Sequence, residues 1–432
     1  MLPGARLEAA VEILGEILSR GRAASIALGD WGRSHRFAGA GDRAWIGNLV
    51  YDSLRRKQSF AYLMDSEAAR SIALAALRHC WGIASEEIAG LCSGERYCPE
   101  PLTESEERGL ANGDLSSAPA FVQGDYPEWL QEQFSEAFGD DAVAEGRALC
   151  ERAPVDLRVN RLKATREKLL GALEKYGAVE APYSPDGVRI PPREGGGRTP
   201  KLEAERAHGR GWFEVQDEGS QIAALLAGAG PRLQVADVCA GAGGKTLAMA
   251  ARMQNTGQIY AYDADAIRFR PIFDRLRRAG ARNVQTLPPG DAATLSGFEG
   301  RMDIVLIDAP CSGTGVWRRR PDAKWRRNAV QLLERQSQQR DLLATASALV
   351  KPGGTLAYVT CSVLPKENDY QIVDFLEGNP EFAELDAVTR AAKVLSRPVK
   401  NRQKAGRPGL LLTPGAHGTD GFYIALLGRR PL

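Results

Sequence analysis

The feature that most constrains the fold is an alternation of short apolar runs and helix-compatible segments after residue 212. The apolar runs are LQVADVC, QIYAYD, NVQTL, MDIVLID and GTLAYVT. A chain of this kind buries each run in a sheet between two layers of helices, which is the pattern of a doubly wound, mostly parallel α/β sheet. GLLLTP and FYIALLG, around the turn HGTDG, predict an antiparallel hairpin at the edge of this sheet.

The first half of the chain has different periodicities. Residues 1 to about 95 show helical apolar spacing in LEAAVEILGEIL and in the run from Ile46 to Met64, which predicts an all-α bundle. A helical YPEWLQEQFSEAF, a strand-like VDLRVN and a helix over residues 165–176 predict a small α+β domain. We therefore predict three domains, over residues 1–118, 119–212 and 213–432.

The charges are distributed in blocks, although the net charge of the 432 residues is only +2. Residues 20–57 carry eight basic and three acidic residues, a net charge of +5. Residues 81–118 carry eight acidic and two basic residues and little apolar periodicity. We interpret this second stretch as an acidic linker and loop.

Composition excludes several classes of protein. No apolar run approaches the ~20 residues of a membrane-spanning helix. Seven scattered cysteines are too few for a disulfide framework, and none of the four histidines forms a ligand pair of the zinc type. We expect a cytoplasmic protein with free thiols and no metal or membrane partner, and nothing in the pattern requires more than a monomer.

A glycine-rich loop, CAGAGGKT, follows the first strand of the α/β domain at residues 239–246. A phosphate P-loop requires a glycine where Cys239 stands, and the dinucleotide fingerprint requires one where Thr246 stands. The remaining class is a loop whose backbone approaches a nucleoside without phosphates, as in enzymes that use S-adenosylmethionine. Such a site needs an acidic residue after the second strand for the ribose, where Asp263 stands, and another after the third strand near the adenine, where Asp291 stands.

Two cysteine motifs follow the next two strands. MDIVLIDAPCSGTG places Asp308 at the end of a buried strand with Cys311 just beyond it, and GTLAYVTCS places Cys361 at the end of the following strand. We expect the two thiols to face each other across neighbouring strand ends. Two cysteines beside an acidic residue and a cofactor loop indicate chemistry more than packing.

This set of residues suits methylation of a pyrimidine at carbon 5. That carbon becomes nucleophilic only after a thiolate adds to carbon 6, so the reaction requires a cysteine. A carboxyl group at the N3 and N4 edge of the base, the role we expect for Asp308, stabilises the adduct. A second cysteine suits expulsion of the product, and the chemistry alone leaves open which cysteine attacks.

The motifs VCAGAGGKT, DAPCSGTG and VTCS resemble those of the RNA 5-methylcytosine methyltransferases, specifically the bacterial ribosomal RNA type known as Sun, Fmu or RsmB. The resemblance extends to DRAWIGNLVYDSLRR, to YPEWL and LRVNRLK, and to GWFEVQDEGSQ. It implies a NusB-like RNA-binding bundle, a small α+β domain and a C-terminal Rossmann-like methyltransferase domain that transfers a methyl group from S-adenosylmethionine to cytosine in RNA, with ribosomal RNA favoured.

The resemblance also implies residue roles. Cys361 is the nucleophile, and Cys311 assists product release. The implied cofactor contacts are Cys239, Ala240, Gly241, Ala242, Gly243, Gly244, Lys245, Asp263, Asp291 and Asp308. The family's loop is usually CAAPGGKT, so Gly241 and Ala242 here replace an Ala-Pro pair, which bears on the rigidity of the loop.

Two basic segments are candidates for RNA contacts. Residues 317–327 contain six basic residues and two tryptophans, and we expect an RNA-binding lip in which tryptophan stacks on an extruded base. Residues 390–407 contain seven basic residues and no acidic one, and we expect a loop that orders on RNA.

Three alternatives stay open at this point. The first is a transfer RNA substrate, because phosphate contacts carry no sequence information. The second is a P-loop nucleotidase with MDIVLID as its Walker B strand, and the third is a NusB-like RNA-binding protein without catalytic activity.

Overall fold

The computed structural model describes residues 1–192 and 200–431, which divide into two compact units. The first unit contains residues 1–152 and 316–329. The second contains residues 153–192, 200–315 and 330–431. In the described residues, no helix has both the length and the apolar composition that crossing a membrane requires.

The first unit consists of helices. They are, numbered along the whole chain, α1 (Pro3–Arg20), α2 (Ala24–Ser34), α3 (Ala40–Arg55), α4 (Lys57–Met64), α5 (Ala69–Ala75), α6 (Ser85–Leu91), α7 (Glu104–Ala111), α8 (Ala120–Gln123), α9 (Gln131–Phe138), α10 (Ala142–Ala148) and α17 (Pro321–Arg326). A π-helical turn, Ala76–Cys80, continues α5, and Glu128–Leu130 and Gly139–Asp141 are 3₁₀ turns. The helical pattern predicted for residues 1–95 is confirmed.

Helix α1 shows why this bundle forms. Its apolar side chains recur every three or four residues, so Leu7, Leu14 and Ile17 lie on one face and are at most 2% exposed. That face packs into a core with α3 and α5. Gly21 then ends the helix in the left-handed conformation, at φ +61°.

The acidic stretch over residues 81–118 is not only a linker and loop, and that interpretation is wrong in part. It contains α6 and α7, and Ile88 and Leu110 are fully buried in the helical core. A capping box begins α7, because the Thr103 hydroxyl accepts from the Glu106 backbone N–H and the Glu106 carboxylate accepts from the Thr103 N–H. The spacing T-x-x-E carried this signal in the sequence.

The second unit contains a small antiparallel sheet of order β2-β3-β1-β4. Its strands are β1 (Val155–Val159), β2 (Val179–Glu180), β3 (Gly187–Ile190) and β4 (Phe213–Val215). The helices associated with it in sequence are α11 (Arg166–Leu173) and α12 (Arg206–Gly209), with 3₁₀ turns at Glu174–Tyr176 and Leu202–Ala204. The predicted strand and helix of this region are present, while the exact domain boundaries stay a prediction.

The large sheet of the second unit has the order β10-β12-β9-β8-β5-β6-β7, with β11 paired to β12. Its strands are β5 (Gln234–Asp237), β6 (Gln258–Ala261), β7 (Val284–Thr286), β8 (Met302–Asp308), β9 (Val350–Thr360), β10 (Phe382–Leu385), β11 (Leu410–Leu412) and β12 (Phe422–Arg429). The five strands from β5 to β9 pair in parallel, which confirms the predicted doubly wound sheet.

Helices connect and cover these strands. They are α13 (Glu218–Ala227), α14 (Gly244–Arg252), α15 (Ala266–Phe269), α16 (Ile272–Ala279), α18 (Ala329–Leu349), α19 (Asp369–Gly378), α20 (Ala387–Val394) and α21 (Pro414–His417). The 3₁₀ turns of this part are Ala292–Phe298, Thr314–Val316 and Pro365–Glu367. The buried faces of α13 and α14 contribute to the main core of the sheet.

The predicted C-terminal hairpin exists and lies at the edge of the sheet, with β11 outermost and β12 one strand further in. Strand β12 pairs with β11 and β10 on one side and with β9 on the other, so it lies inside the sheet. The residues of β12 from Phe422 to Leu427 are all at most 5% exposed, as expected for an interior strand. The short strand β10, which sequence patterning missed, pairs with the last residues of β12 and forms the rest of this edge.

The two basic segments differ from the expectation of open RNA-binding loops. Within the first unit, Trp317 is 2% exposed and stacks on Phe134, so its ring is not available to a base. In residues 390–407, Arg390 donates to the Leu226 carbonyl, and Arg407 forms an ion pair with Asp369. Trp317, Arg390 and Arg407 therefore already have partners within the protein.

Candidate active site

The candidate site lies in the second unit, at the carboxyl ends of four parallel strands. Strands β6, β5, β8 and β9 are consecutive neighbours in the sheet. Since parallel strands all end at the same edge, the loops that follow them converge there. These loops contain every candidate site residue named above except Asp291, which follows β7.

The glycine-rich loop after β5 is held against the end of β6. The Gly241 N–H donates to Asp263 Oδ2 at 2.7 Å, and Asp263 Oδ1 accepts from the Asp265 N–H at 2.8 Å. Gly241 and Gly243 have φ of +50° and +84°, a region that glycine enters without the steric cost of a side chain. Asp263, 4% exposed, thus fixes the loop backbone beside its own carboxylate.

Side chains from outside the loop hold its carbonyls. Arg275 donates to the Ala242 carbonyl at 2.8 Å, and Glu214 binds the guanidinium of Arg275 at 2.9 Å. Arg158, from β1, lies 3.4 Å from the Gly244 carbonyl. Sequence reasoning gave these three residues no role because they are distant along the chain from the loop, although Arg158 and Glu214 lie within the LRVNRLK and GWFEVQDEGSQ segments quoted above.

Lys245 and Asp308 form an ion pair across the floor of the site. Lys245 Nζ lies 2.7 Å from Asp308 Oδ2, and the lysine side chain is 7% exposed. The ammonium also lies 5.3 Å from the centre of the Phe422 ring. The structure therefore places Lys245 against Asp308, where the resemblance implied only a cofactor contact.

Asp237, the last residue of β5, is a buried carboxyl that the sequence analysis did not single out. It is 1% exposed, and its Oδ2 accepts from the Thr246 hydroxyl at 2.7 Å. Burial raises the pKa of Asp237 to about 7, against the opposing effect of the Thr246 hydrogen bond. Its position at a strand end beside the loop was the available sequence signal.

The two cysteines meet at the ends of β8 and β9. Cys311 Sγ and Cys361 Sγ are 3.4 Å apart, and the Gly315 N–H donates to the Cys361 carbonyl at 2.9 Å. The hydrogen bond to Cys361 and burial raise the pKa of Cys311 well above that of an ordinary thiol. At neutral pH, Cys311 is therefore a thiol that can donate or exchange a proton.

The remaining predicted residues are placed less centrally. Asp291 is exposed, and its carboxylate accepts from the Ala293 N–H, so it caps the 3₁₀ turn Ala292–Phe298. Burial raises the pKa of Cys239 well above its usual value, and the backbone of Ala240 donates to the Tyr262 carbonyl at 2.9 Å. The cofactor roles of Asp291, Cys239 and Ala240 stay predictions.

The site fits a nucleoside cofactor by its donors and its backbone. A carboxylate at the end of the second strand, as Asp263 presents, suits ribose hydroxyls, and two glycines with positive φ bring bare backbone to the same place. A parallel sheet with these two features at its carboxyl edge defines a Rossmann-like domain that binds a nucleoside cofactor, the class of protein to which the second unit belongs.

Comparisons with known proteins specify the class further. The profile of the family described as 16S rRNA methyltransferase RsmB/F matches residues 227–428. A profile for an RsmF/B-like ferredoxin-like domain matches residues 126–192. The protein named ribosomal RNA small subunit methyltransferase B from Salmonella paratyphi A is 34% identical over 329 residues, which cover 75% of this chain and 70% of the relative.

The protein of the same name from Salmonella arizonae has the same identity and coverage. This chain therefore belongs to the RsmB/F family of ribosomal RNA methyltransferases, whose cofactor is S-adenosylmethionine. The resemblance noted from the motifs is confirmed, and the P-loop nucleotidase interpretation is set aside.

Solved structures agree with this fold. The crystal structure of PH0851 has a TM-score of 0.74 and 25% identity, with 99% of each chain covered. NSun6 from Pyrococcus horikoshii, solved with SFG, has a TM-score of 0.61 and 22% identity, and the match covers 70% of this chain and 98% of NSun6.

Proposed function

We propose that this protein methylates carbon 5 of a cytosine in small-subunit ribosomal RNA, through a covalent adduct between a cysteine and the base. The observation that carries the proposal is the pair of thiols, 3.4 Å apart, beside the Asp308 strand end. S-adenosylmethionine, when bound, supplies an electrophilic methyl group to carbon 5. Asp263 and the backbone of residues 239–245 would hold it.

Cys361 is the proposed nucleophile. Its thiolate sulfur forms a bond to carbon 6 of cytosine, and the electron pair of the 5,6 double bond then makes carbon 5 nucleophilic. The raised pKa of Cys311 supports this assignment, because a sulfur that holds its proton is a poor attacking group.

Asp308 is the proposed group at the N3 and N4 edge of the base. There a proton on its carboxyl group passes to N3 and neutralises the negative charge that the ring gains when the thiolate adds, which leaves a carboxylate beside Lys245. Lys245, 2.7 Å away, orients the carboxylate and limits its freedom to rotate. The Lys245 side chain thus contributes to catalysis by positioning Asp308.

Cys311 is the proposed residue for product release. After methylation, a water molecule accepts the proton from carbon 5, the electron pair of that C–H bond restores the 5,6 double bond, and the bond from carbon 6 to the Cys361 sulfur breaks. A thiol 3.4 Å from that sulfur can pass a proton to the departing thiolate. Release is therefore the step that depends on Cys311.

We propose ribosomal RNA as the substrate because the curated relatives carry that name. The helical first unit is proposed to be NusB-like and to contribute to RNA binding. Arg36 and Phe37 on its surface are exposed, Phe37 by 73%, and this combination of cation and ring suits RNA. Transfer RNA is the alternative substrate.

Cysteine variants test the mechanism. Cys361→Ala should abolish methyl transfer to 16S rRNA and form no covalent RNA complex, because carbon 6 is never attacked. Cys311→Ala should accumulate a protein–RNA band on denaturing electrophoresis, and this band should disappear in the double variant. The assay uses the full chain, labelled S-adenosylmethionine, and RNA from cells that lack the enzyme.

The outcomes separate the alternatives. A trapped band with Cys361→Ala would reverse the roles of the two cysteines. Absence of methyl transfer by the unmodified chain to both RNA classes would indicate an inactive RNA-binding protein. Bisulfite mapping of the methylated RNA distinguishes ribosomal from transfer RNA.

A further inference from the structure

A buried carboxylate lies behind the two cysteine loops. Glu367, at the end of the turn Pro365–Glu367 that follows β9, is 0% exposed. Its carboxylate accepts from the Ser312 N–H at 2.7 Å, from the Ser312 hydroxyl at 2.5 Å and from Gln339 Nε2 at 3.2 Å. A charge without such donors would be costly to bury, so this arrangement is built to hold a carboxylate.

These hydrogen bonds anchor both neighbours of Cys311. Ser312 follows it directly, and Gln339 also donates to the carbonyl of Pro310, the preceding residue, at 2.9 Å. The next residue after Glu367, Asn368, accepts from the Thr360 hydroxyl at 2.6 Å and donates to the Ser362 carbonyl at 3.0 Å. Glu367 and Asn368 thus hold one cysteine loop each.

The donors to Glu367 are all neutral, and no ion pair is found for it in the described residues. Burial raises the pKa of the Glu367 carboxyl, and the hydrogen bonds from Ser312 and Gln339 oppose that rise. When Glu367 is ionised, its charge acts on nearby groups without a cation to offset it. The titratable groups around Cys311 are Cys361, Glu367 and Tyr358, whose hydroxyl donates to the Glu367 carbonyl, with the Asp308–Lys245 pair at the end of β8. A second negative charge on Cys311 is unfavourable beside Glu367.

We propose that Glu367 is a positioning residue that fixes the Cys311 loop through Ser312, and that its negative charge adds to burial and to the contact with Cys361 in favouring the neutral thiol of Cys311. Cys361 is then the sulfur left free to attack. The inference rests on the proposed function for its catalytic consequence, but its effect on the Cys311 thiol is measured without RNA or cofactor.

Three variants separate the charge of Glu367 from its shape. Glu367→Gln keeps the shape, and the Ser312 hydroxyl can turn to accept from the new amide, so the charge is lost and the loop is retained. Glu367→Asp keeps the charge. Glu218→Gln is the matched control, because Glu218 is also 0% exposed and accepts from two backbone N–H groups, those of Tyr183 and Ser184.

The experiment uses the full chain carrying Cys361→Ala. It measures the rate at which iodoacetamide alkylates Cys311 as a function of pH, and mass spectrometry identifies the alkylated site. Glu367→Gln should move the midpoint to lower pH by about one unit or more. Glu367→Asp and Glu218→Gln should leave it in place. Thermal unfolding verifies that each variant is folded.

An unchanged midpoint in folded Glu367→Gln overturns the proposal, as does an equal shift in Glu218→Gln. If Glu367→Gln does not fold, the Glu367→Asp variant decides. A fall of a full unit in its midpoint for Cys311 alkylation overturns the proposal, and an unchanged midpoint supports it. A shifted midpoint together with no methylation at carbon 5 of cytosine would contradict the proposed function and leave the role of Glu367 standing.

Discussion

Lys245 shows how one residue acquires a role that its motif does not state. In the sequence it ends a glycine-rich loop, where a lysine is easily assigned to a phosphate or a cofactor. In the structure its ammonium lies 2.7 Å from Asp308 Oδ2 and is almost fully buried. The Lys245 ammonium therefore has the Asp308 carboxylate as its direct partner.

Replacing Lys245 tests this role. Lys245→Met keeps most of the side-chain volume and removes the cation, so Asp308 loses its orientation. We expect kcat for methyl transfer to fall about 100-fold while the Kd for S-adenosylmethionine, measured by calorimetry, changes little. A large rise in Kd with unchanged kcat would make Lys245 a cofactor contact instead.

The buried carboxyl group of Asp237 makes the free energy of unfolding depend on pH. Its pKa in the folded chain is about 7, above the ~3.9 of an unfolded aspartate. The folded state therefore binds the extra proton between these values, and the stabilisation is lost as pH rises toward 7. Asp237→Asn cannot lose a proton and should not show this loss.

We expect Asp237→Asn to gain stability relative to the unmodified chain by roughly 2 to 3 kcal/mol between pH 5 and pH 8. Urea unfolding of both proteins at the two pH values measures the difference. Thr246→Val, which removes the hydrogen bond to the carboxylate, should instead destabilise more at pH 8 than at pH 5. Parallel pH profiles for Asp237→Asn and the unmodified chain would disprove the shift.

At the scale of elements, the loop between β5 and α14 depends on backbone shape. The usual proline is absent, and the hydrogen bond from Arg275 to the Ala242 carbonyl provides an anchor of another kind. Gly243 has φ +84°, and a Cβ there would lie 2.6 Å from Ile272 Cγ1. Both the positive φ and the close approach of Ile272 therefore disfavour a larger residue at position 243.

Gly243→Ala should lower the free energy of unfolding by about 2 kcal/mol or more, because it adds backbone strain and a clash. Gly244→Ala is the matched control, since its Cβ would meet only Gln216 Nε2, at an ordinary 3.6 Å. Chemical denaturation and cofactor affinity check both variants. Equal effects at the two positions would show that the φ of Gly243 is not the constraint.

At the scale of the whole molecule, residues 316–329 belong to the first unit although they lie between two strands of the second unit's sheet in sequence. Lys324, 1% exposed, anchors them there. Its ammonium donates to the Arg55 carbonyl at 2.9 Å, to the Asp125 carbonyl at 2.7 Å and to Cys150 Sγ at 3.2 Å. The chain passes from one unit to the other and back.

Lys324→Ala should destabilise the first unit by about 3 kcal/mol, because three buried acceptors lose their donor. Arg320→Ala, an exposed basic residue of the same segment, should change stability by less than ~0.5 kcal/mol. Urea denaturation followed by tryptophan fluorescence reports on the first unit, which contains six of the seven tryptophans, Trp317 and Trp325 among them. Similar effects of the two variants would argue against the anchor.

The parallel strands, their connecting helices, the glycine-rich loop and the position of the two cysteines at neighbouring strand ends were predictable from the amino-acid sequence, because each is encoded by local periodicity or by short spacing. The sequence also identified the family. Residues close in sequence share these signals, so no long-range information was needed.

Only the tertiary structure decided which of these residues act together. The Lys245–Asp308 ion pair and the hydrogen bond from Ser312 to the buried Glu367 join residues that lie 63 and 55 positions apart in sequence. Burial also decided which residues are accessible. The sequence predicted Trp317 and Lys324 to lie on an RNA-binding surface, but both are packed inside the first unit. The physical reason is that exposure and pairing depend on neighbours that the folded chain brings together from distant positions.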